Sequence, residues 1–222
     1  PSVPRGGGTQ AVYRTPPAPD DAPETGGAGA GRVYCPALAA DVVFSPVVPS
    51  PPGWGLTTQS TPTVWVHLAY EGPQPIRLPA AELSLLDRAT GNVVGESKTV
   101  VLPDRAGLFA LDLPALSVSD RWYEWYLEID CSPEDDPDNY TYLDISGFIY
   151  QDGTATAETI TISDPQQRLD AYQNQGVWYD AFDLLAQDYC EMPANAQNQA
   201  NLADLLTAGE LEALANSPIH CP

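Results

Sequence analysis

The side chains in this chain with a capacity for chemistry are mostly carboxylates, and two groups of them have a telling spacing. Glu124 and Glu128 lie in the stretch Trp122–Cys131, WYEWYLEIDC, in phase with Trp122 and Tyr126. Alternate residues of a strand sit ~7 Å apart on one face. The four can therefore form a carboxylate pair beside an aromatic platform, as glycoside hydrolases and sugar-binding sandwiches use. The plainer reading, an outer strand face covered by a helix or by solvent, is preferred. The second group is Glu134, Asp135, Asp136 and Asp138. Calcium takes oxygen ligands from loops of this kind. The run lacks the alternating acids, central Gly and distal Glu of an EF-hand, so a solvated loop with an Asp-Pro turn is favoured and calcium is the minor reading.

Other chemistry is thin. His67 falls opposite in phase to Val66 and Leu68, where a polar structural role outweighs catalysis, and His220 adjoins Cys221 in a terminal tail. No Gly-x-Ser-x-Gly, Walker-type loop or His-Glu-x-x-His occurs. The expectation is a protein that is not an enzyme, with no catalytic residue, metal or cofactor. Asn139-Tyr140-Thr141 matches a glycosylation sequon, and Thr154–Thr161 is Thr-rich; chance and β-propensity explain them as well as glycans do.

The cysteines are Cys35, Cys131, Cys190 and Cys221, with no CxxC pair and only two histidines, which gives zinc little support. An even count at wide spacing fits two disulfides formed in an oxidising compartment. Cys35 with Cys131 and Cys190 with Cys221 is the preferred pairing, tying the N-terminal segment to the sheet and closing the helical end. All three pairings remain open on sequence alone.

The charge excludes more than it suggests. Of 222 residues, 30 are Asp or Glu and 9 are Lys or Arg, for a formal net charge of −21. Such a chain repels nucleic acid and anionic membrane surfaces at long range. It has no apolar run long enough to span a bilayer, so membrane insertion is not expected. It starts at Pro1 without an initiator Met or a signal-peptide pattern, which reads as the mature form of an exported protein at the cell surface or outside the cell.

The elements that must position these residues are set by hydrophobic period. Over Trp122–Cys131 the apolar residues Tyr123, Trp125, Leu127 and Ile129 alternate with the acid-and-aromatic set, the mark of a strand with one core face. Further strands are expected at Asp41–Ser45, Leu56–Gln59, Thr63–Tyr70, Ala81–Asp87, Val93–Val101, Leu108–Leu113, Tyr142–Gln151 and Thr156–Ile162. Turn-formers such as Glu71-Gly72-Pro73 and Thr90-Gly91-Asn92 separate them. At Asp164-Pro165 the period becomes helical, with Asp164 as N-cap and Gly176 as stop. Trp178, Phe182, Leu185 and Tyr189 then recur at helical spacing over Val177–Cys190, which places Tyr179 and Asp180 outward. Asn195–Thr207 and Glu210–Ala215 complete the helical end. The fold class is α+β: an antiparallel, Ig-like β-sandwich over residues 34–163, C-terminal helices over 164–222 packed on it, and an extended Gly/Pro-rich tail over 1–33.

Within that tail Thr9, Gln10, Ala11, Val12, Tyr13, Arg14 and Thr15 form a short β-like stretch between breakers.

Several blocks, taken in order, resemble one family. They are Gly55-Leu56-Thr57-Thr58 with Pro62-Thr63, then Glu82-Leu83-Ser84-Leu85-Leu86-Asp87, and Tyr123-Glu124-Trp125-Tyr126 leading to Cys131. Gly147-Phe148-Ile149 and Gly176-Val177-Trp178-Tyr179-Asp180-Ala181 follow, with the Leu205-Leu206 helix. The series resembles a cyanobacterial family of exported proteins, the domain of unknown function DUF928, from about Gly6 to Pro218. The resemblance implies export in a cyanobacterium and no reaction; the 134–138 loop and the C-terminal cysteines look like local elaborations.

The leading functional expectation is structural: a subunit of an extracellular filament or pilus-like assembly, a homopolymer whose partners are copies of itself. Thr9–Thr15 of one subunit would fill a sheet edge of the next by donor-strand exchange. The stretch from Pro16 to Gly31 would be the linker, about 15 residues reaching up to ~50 Å. The alternative is a periplasmic or cell-surface module binding a glycan or another ligand through Trp122, Tyr126 and the two glutamates. A carboxylate-dependent hydrolase ranks third.

Overall fold

Alternation at the strand period and capping at the helix ends build the molecule. A computed structural model describes residues 13–23, 31–35, 40–70, 78–132, 141–159 and 161–221. In chain order the strands are β1 (Gly31–Cys35), β2 (Ala40–Pro46), β3 (Trp54–Thr57), β4 (Thr63–Tyr70), β5 (Ala81–Asp87) and β6 (Asn92–Val93). They continue with β7 (Lys98–Val100), β8 (Gly107–Asp112), β9 (Arg121–Asp130), β10 (Tyr142–Gln151) and β11 (Ile219–His220). The helices are α1 (Gly153–Thr159), α2 (Pro165–Gln175), α3 (Trp178–Glu191) and α4 (Ala196–Ala208), followed by a 3-10 turn at Glu212–Leu214.

One sheet runs β1-β2-β4-β8-β11 and the other β3-β10-β9-β5-β6, with β7 also on β5. Tyr123, Trp125, Leu127 and Ile129 of β9 are fully buried in one core with Val42, Phe44, Val64, Val66 and Leu68 of the other sheet. The fold is α+β, since Trp178, Phe182 and Leu185 of α3 join that same core. Cys35 pairs with Cys131 and Cys190 with Cys221. The first bond links the end of β1 to the residue after β9, and so one sheet to the other.

The structure departs from expectation in definite places. The sheets are not purely antiparallel: β3 runs parallel to β10 and β11 parallel to β8. The first sheet already begins at Gly31, where β1 pairs with β2, rather than at residue 34. The strand expected at Val93–Val101 is two short pieces, β6 and β7, broken where Gly95 takes φ 72. The strand expected at Thr156–Ile162 is replaced by helix α1. There the Asp152 side chain accepts from the N–H groups of Thr154 and Ala155, both at 2.9 Å, and caps a helix that Thr-rich composition disfavours. At the start of α2, Asp164 does cap as expected, accepting from Gln167 N at 2.8 Å, and Gly176 (φ 74) closes the helix.

Tyr179 and Asp180 are buried, not outward. A single helical stripe underestimates α3, which packs against β3, β4, α2 and α4 and so buries a wider arc. Gly55 makes room for it, since a Cβ there would come within 2.9 Å of the Tyr179 ring. The Tyr179 hydroxyl donates to Phe148 O at 3.0 Å.

The N-terminal arm over residues 13–23 lies on its own domain. Tyr13 is 6% exposed, its ring edge-on to Trp178 at 5.1 Å. Its hydroxyl donates to Gly176 O at 3.4 Å, and Arg14 N donates to Gln173 O at 3.0 Å. Within the chain, Tyr13, Arg14 and Thr15 thus lie on the end of α2 and not on an edge of its own sheets. Their partners are carbonyls at the end of α2, which a helix leaves without intrahelical donors. Thr9, Gln10, Ala11 and Val12, the 71–73 turn, the acidic run 134–138 and Asn139 of the sequon lie outside the described residues.

Candidate functional site

The outer face of β9 does not behave as one surface. At its start Trp122 packs into a small second core with Trp54, Leu56 and Phe148, and Tyr150 and Ala22 lie against it. The Trp122 ring meets Trp54 edge-on at 5.3 Å and Tyr150 at 5.1 Å. Register explains the gathering: Trp122 stands opposite Tyr150, Glu124 opposite Phe148, and Trp54 beside Phe148 on the parallel strand. The indole N–H of Trp122 donates to Asp20 O at 3.0 Å, which pins the arm along this edge.

Glu124 is buried and paired with Arg88, Nη1 to Oε2 at 2.9 Å. The Arg88 guanidinium also lies over the Phe148 ring, 5.5 Å from its centre. Arg121 binds Asp87 at 2.8 Å, and Asp87 further accepts from Ala89 N at 2.8 Å and Thr90 N at 3.2 Å. Desolvation pushes the Asp87 carboxyl up, but Arg121 and the two N–H groups outweigh it and hold the carboxyl below its ordinary value.

Between these pairs and the arm opens a cleft of about 500 Å³, walled by Trp122, Phe148, Tyr150, Arg88 and Arg121 on one side and by Asp20, Asp21 and Pro23 of the arm on the other; Asp120 sits on its rim. Tyr150 is the half-exposed aromatic; Trp122 backs it. Burial, then Asp120, Asp152 and Asp20, raises the Tyr150 hydroxyl's pKa, so it stays protonated and able to donate.

Of the residues singled out in sequence, only Trp122 lines this cleft. Glu124 supports it from beneath through Arg88. Tyr126 stands beyond it, its hydroxyl pushed up to about 12 by burial and by Glu124. Glu128 is exposed and faces Glu82 and Asp144 directly across the neighbouring strands. The two glutamates therefore do not form a working carboxylate pair. Arg88, Arg121, Phe148 and Tyr150 escaped sequence reasoning, although Phe148 and Tyr150 share a phase on β10 that could have been matched to Trp122.

A second polar feature lies behind the aromatic cluster. The Asp180 carboxylate accepts from Thr57 Oγ1 at 2.6 Å, from Thr58 N at 2.9 Å and from Thr58 Oγ1. It ties the end of β3, and so Trp54, to the first turn of α3. Burial raises its pKa against the pull of those donors, and Asp183 adds to the rise. Asp183 is raised mainly by burial too, while accepting from Trp65 Nε1 at 3.1 Å and Gln187 Nε2 at 2.7 Å. Both carboxylates are committed to protein donors. His67 is half-buried within 3.3 Å of Ser217 Oγ, and burial lowers its pKa. Among the described residues no three His, Cys, Asp or Glu side chains converge to hold a metal.

Fold and site together define a disulfide-bonded α+β protein with a charged, aromatic-backed cleft at one sheet end. The chain belongs to the family described as Domain of Unknown Function (DUF928), whose model matches residues 27–219. No curated protein matches the chain. Among the described residues no helix is long and apolar enough to cross a membrane. Two disulfides are compatible with an oxidising compartment.

Proposed function

We propose that this protein is an exported binding module that holds a neutral oligosaccharide in the cleft over Trp122. The observation that carries this reading is the cleft's mixed lining: an aromatic wall of Tyr150, Trp122 and Phe148 within reach of two guanidinium groups and three carboxylates. A sugar ring offers apolar C–H faces together with hydroxyls that both donate and accept. The first suits an aromatic wall, and the second suits a rim holding donors and acceptors together. Arg88 and Arg121 are each paired with a buried carboxylate, so they offer oriented N–H groups rather than spare positive charge. Asp20, Asp21 and Asp120 oppose an anionic ligand at the same rim. The volume of about 500 Å³ falls in the range, ~300–1,000 Å³, of sites that enclose small ligands.

The reading is tested by screening neutral oligosaccharides on an array and titrating any hit by calorimetry. Tyr150→Ala is expected to weaken binding about tenfold or more, ~1.4 kcal/mol. Failure of every neutral oligosaccharide to bind more tightly than about 1 mM, ~4 kcal/mol, would sink the proposal.

A further inference from the structure

We infer that the cavity between the end of α1 and the first turns of α2 is a second binding site, which holds a small hydroxylated carboxylate of the sugar-acid class on the Arg168 guanidinium. The cavity measures about 330 Å³, at the lower end of the range, ~300–1,000 Å³, of sites that enclose small ligands. Its walls come from three segments: Gln59 after β3, Thr159, Thr161 and Ser163 at and beyond the end of α1, and Arg168 and Tyr172 of α2. It shares no lining residue with the Trp122 cleft.

Arg168 is the group left over. The chain holds 30 acids against 9 bases, so every guanidinium has carboxylates in excess to choose from. Arg88 and Arg121 each take one, at 2.9 and 2.8 Å. Among the described residues, no carboxylate forms an ion pair with Arg168. Its Nε is buried with no acceptor among them. Its Nη2 reaches only Ser163 O, at 3.5 Å, beyond the ordinary N–H···O range of ~2.7–3.2 Å. A buried donor without an acceptor is destabilising, and a ligand that supplies the acceptor recovers that loss. The acids nearest in the chain are engaged elsewhere. Asp164 accepts from Gln167 N at 2.8 Å, and Asp170 from Gln166 Nε2 at 3.0 Å.

A carboxylate matches this donor set. Its two oxygens lie in one plane and take parallel N–H bonds from the edge of a guanidinium. Among the described residues that line the cavity none is acidic, so an anion meets no like charge on its walls. The Thr161 and Ser163 hydroxyls are exposed at the cavity, and the Gln59 amide faces the same space. Hydroxyls and amides both donate and accept, which suits a ligand that carries hydroxyls of its own. Asp180 and Asp183 line an adjoining cavity that shares Gln59, Arg168 and Tyr172 with this one. Their charge, within a net of −21, favours a single negative charge over the double charge of sulfate.

The test titrates D-glucuronate, D-glucose and inorganic sulfate separately into the full chain by calorimetry, and follows the Arg168 Nε–H resonance by NMR. Glucuronate is expected to bind with a Kd of about 1 mM or tighter and to move that resonance. Glucose and sulfate should each bind at least about tenfold more weakly. Arg168→Gln, with its fold checked by circular dichroism, should weaken glucuronate about tenfold or more. Thr161→Val, at an exposed position, should weaken it about threefold and serves where Arg168→Gln does not fold. Glucuronate binding weaker than about 1 mM, or an Arg168 Nε–H that does not move, would overturn the site. Glucose or sulfate binding as tightly as glucuronate would overturn the assignment to a hydroxylated carboxylate. A sugar held in the Trp122 cleft leaves the Arg168 resonance where it is, so failure here is distinct from failure of the binding proposal.

Discussion

Asp180 poses a direct contest between burial and hydrogen bonding. Its carboxylate takes three hydrogen bonds, from the Thr57 hydroxyl and from the N–H and hydroxyl of Thr58. Burial favours the neutral acid, the donors favour the ion, and burial wins, so the pKa is raised above the ordinary 3.8. A carboxyl whose pKa is higher folded than unfolded binds its proton more tightly in the native state. Its stabilising contribution is complete below the unfolded pKa and is lost as pH rises through the folded one. Each tenfold change in acidity between the two states is worth about 1.4 kcal/mol. Asp180→Asn removes the charge at nearly constant shape. One amide oxygen can still accept from Thr58, and the Thr57 hydroxyl can turn to receive the amide N–H. The stability of wild type minus that of Asp180→Asn should therefore increase as pH falls from about 8 to 4, because the amide does not titrate. Urea unfolding followed by tryptophan fluorescence reads this difference at each pH. Asp180→Ala is a control for the donors: it removes the hydrogen bonds from Thr57 and Thr58 together with the charge, and the expected cost is about 2–4 kcal/mol. A difference curve that is flat, or that falls on acidification, would refute the reasoning, since the hydrogen bonds would then outweigh burial.

Other expectations follow from charge and connectivity. Glu82, Glu128 and Asp144 stand side by side across β5, β9 and β10, and like charges facing across strands repel. Glu128→Gln should stabilise the protein by about 0.3–1 kcal/mol at low salt, allowing for solvent screening, and the gain should shrink in high salt. A gain that persists in molar NaCl would point to a cause other than repulsion. Removing Cys35–Cys131, which spans 96 residues, should cost about 4–5 kcal/mol on the chain-entropy estimate. Removing Cys190–Cys221, which spans 31, should cost about 3–4 kcal/mol. Alanine pairs compared by urea midpoint test that order, and a reversed order would show that local packing outweighs loop length.

What could be read along the chain was whatever depends on neighbours in sequence. Thr63–Tyr70, Ala81–Asp87 and Tyr142–Gln151 form strands over the expected bounds, because alternation of buried and exposed residues is a property of the strand itself. Asp164 and Gly176 bound α2 because capping needs only side chain and backbone within one turn. The same local logic misread Thr156–Ile162, where propensity pointed to a strand but the carboxylate of Asp152 started a helix.

Tertiary structure decided the rest. Tyr179 and Asp180 lie on the flank of a clear apolar stripe, and only the packing of β3 and α2 against α3 turns that flank inward. Glu124 and Glu128 have the same phase and nearly the same neighbours, yet Arg88 reaches one while Glu82 and Asp144 flank the other. The cleft takes its walls from the arm, from β9 and β10, and from the turn after β5, more than a hundred residues of chain apart. The physical reason is common to all of these. Backbone period determines which way a side chain points, whereas burial, charge partners and clefts depend on which distant segment arrives opposite.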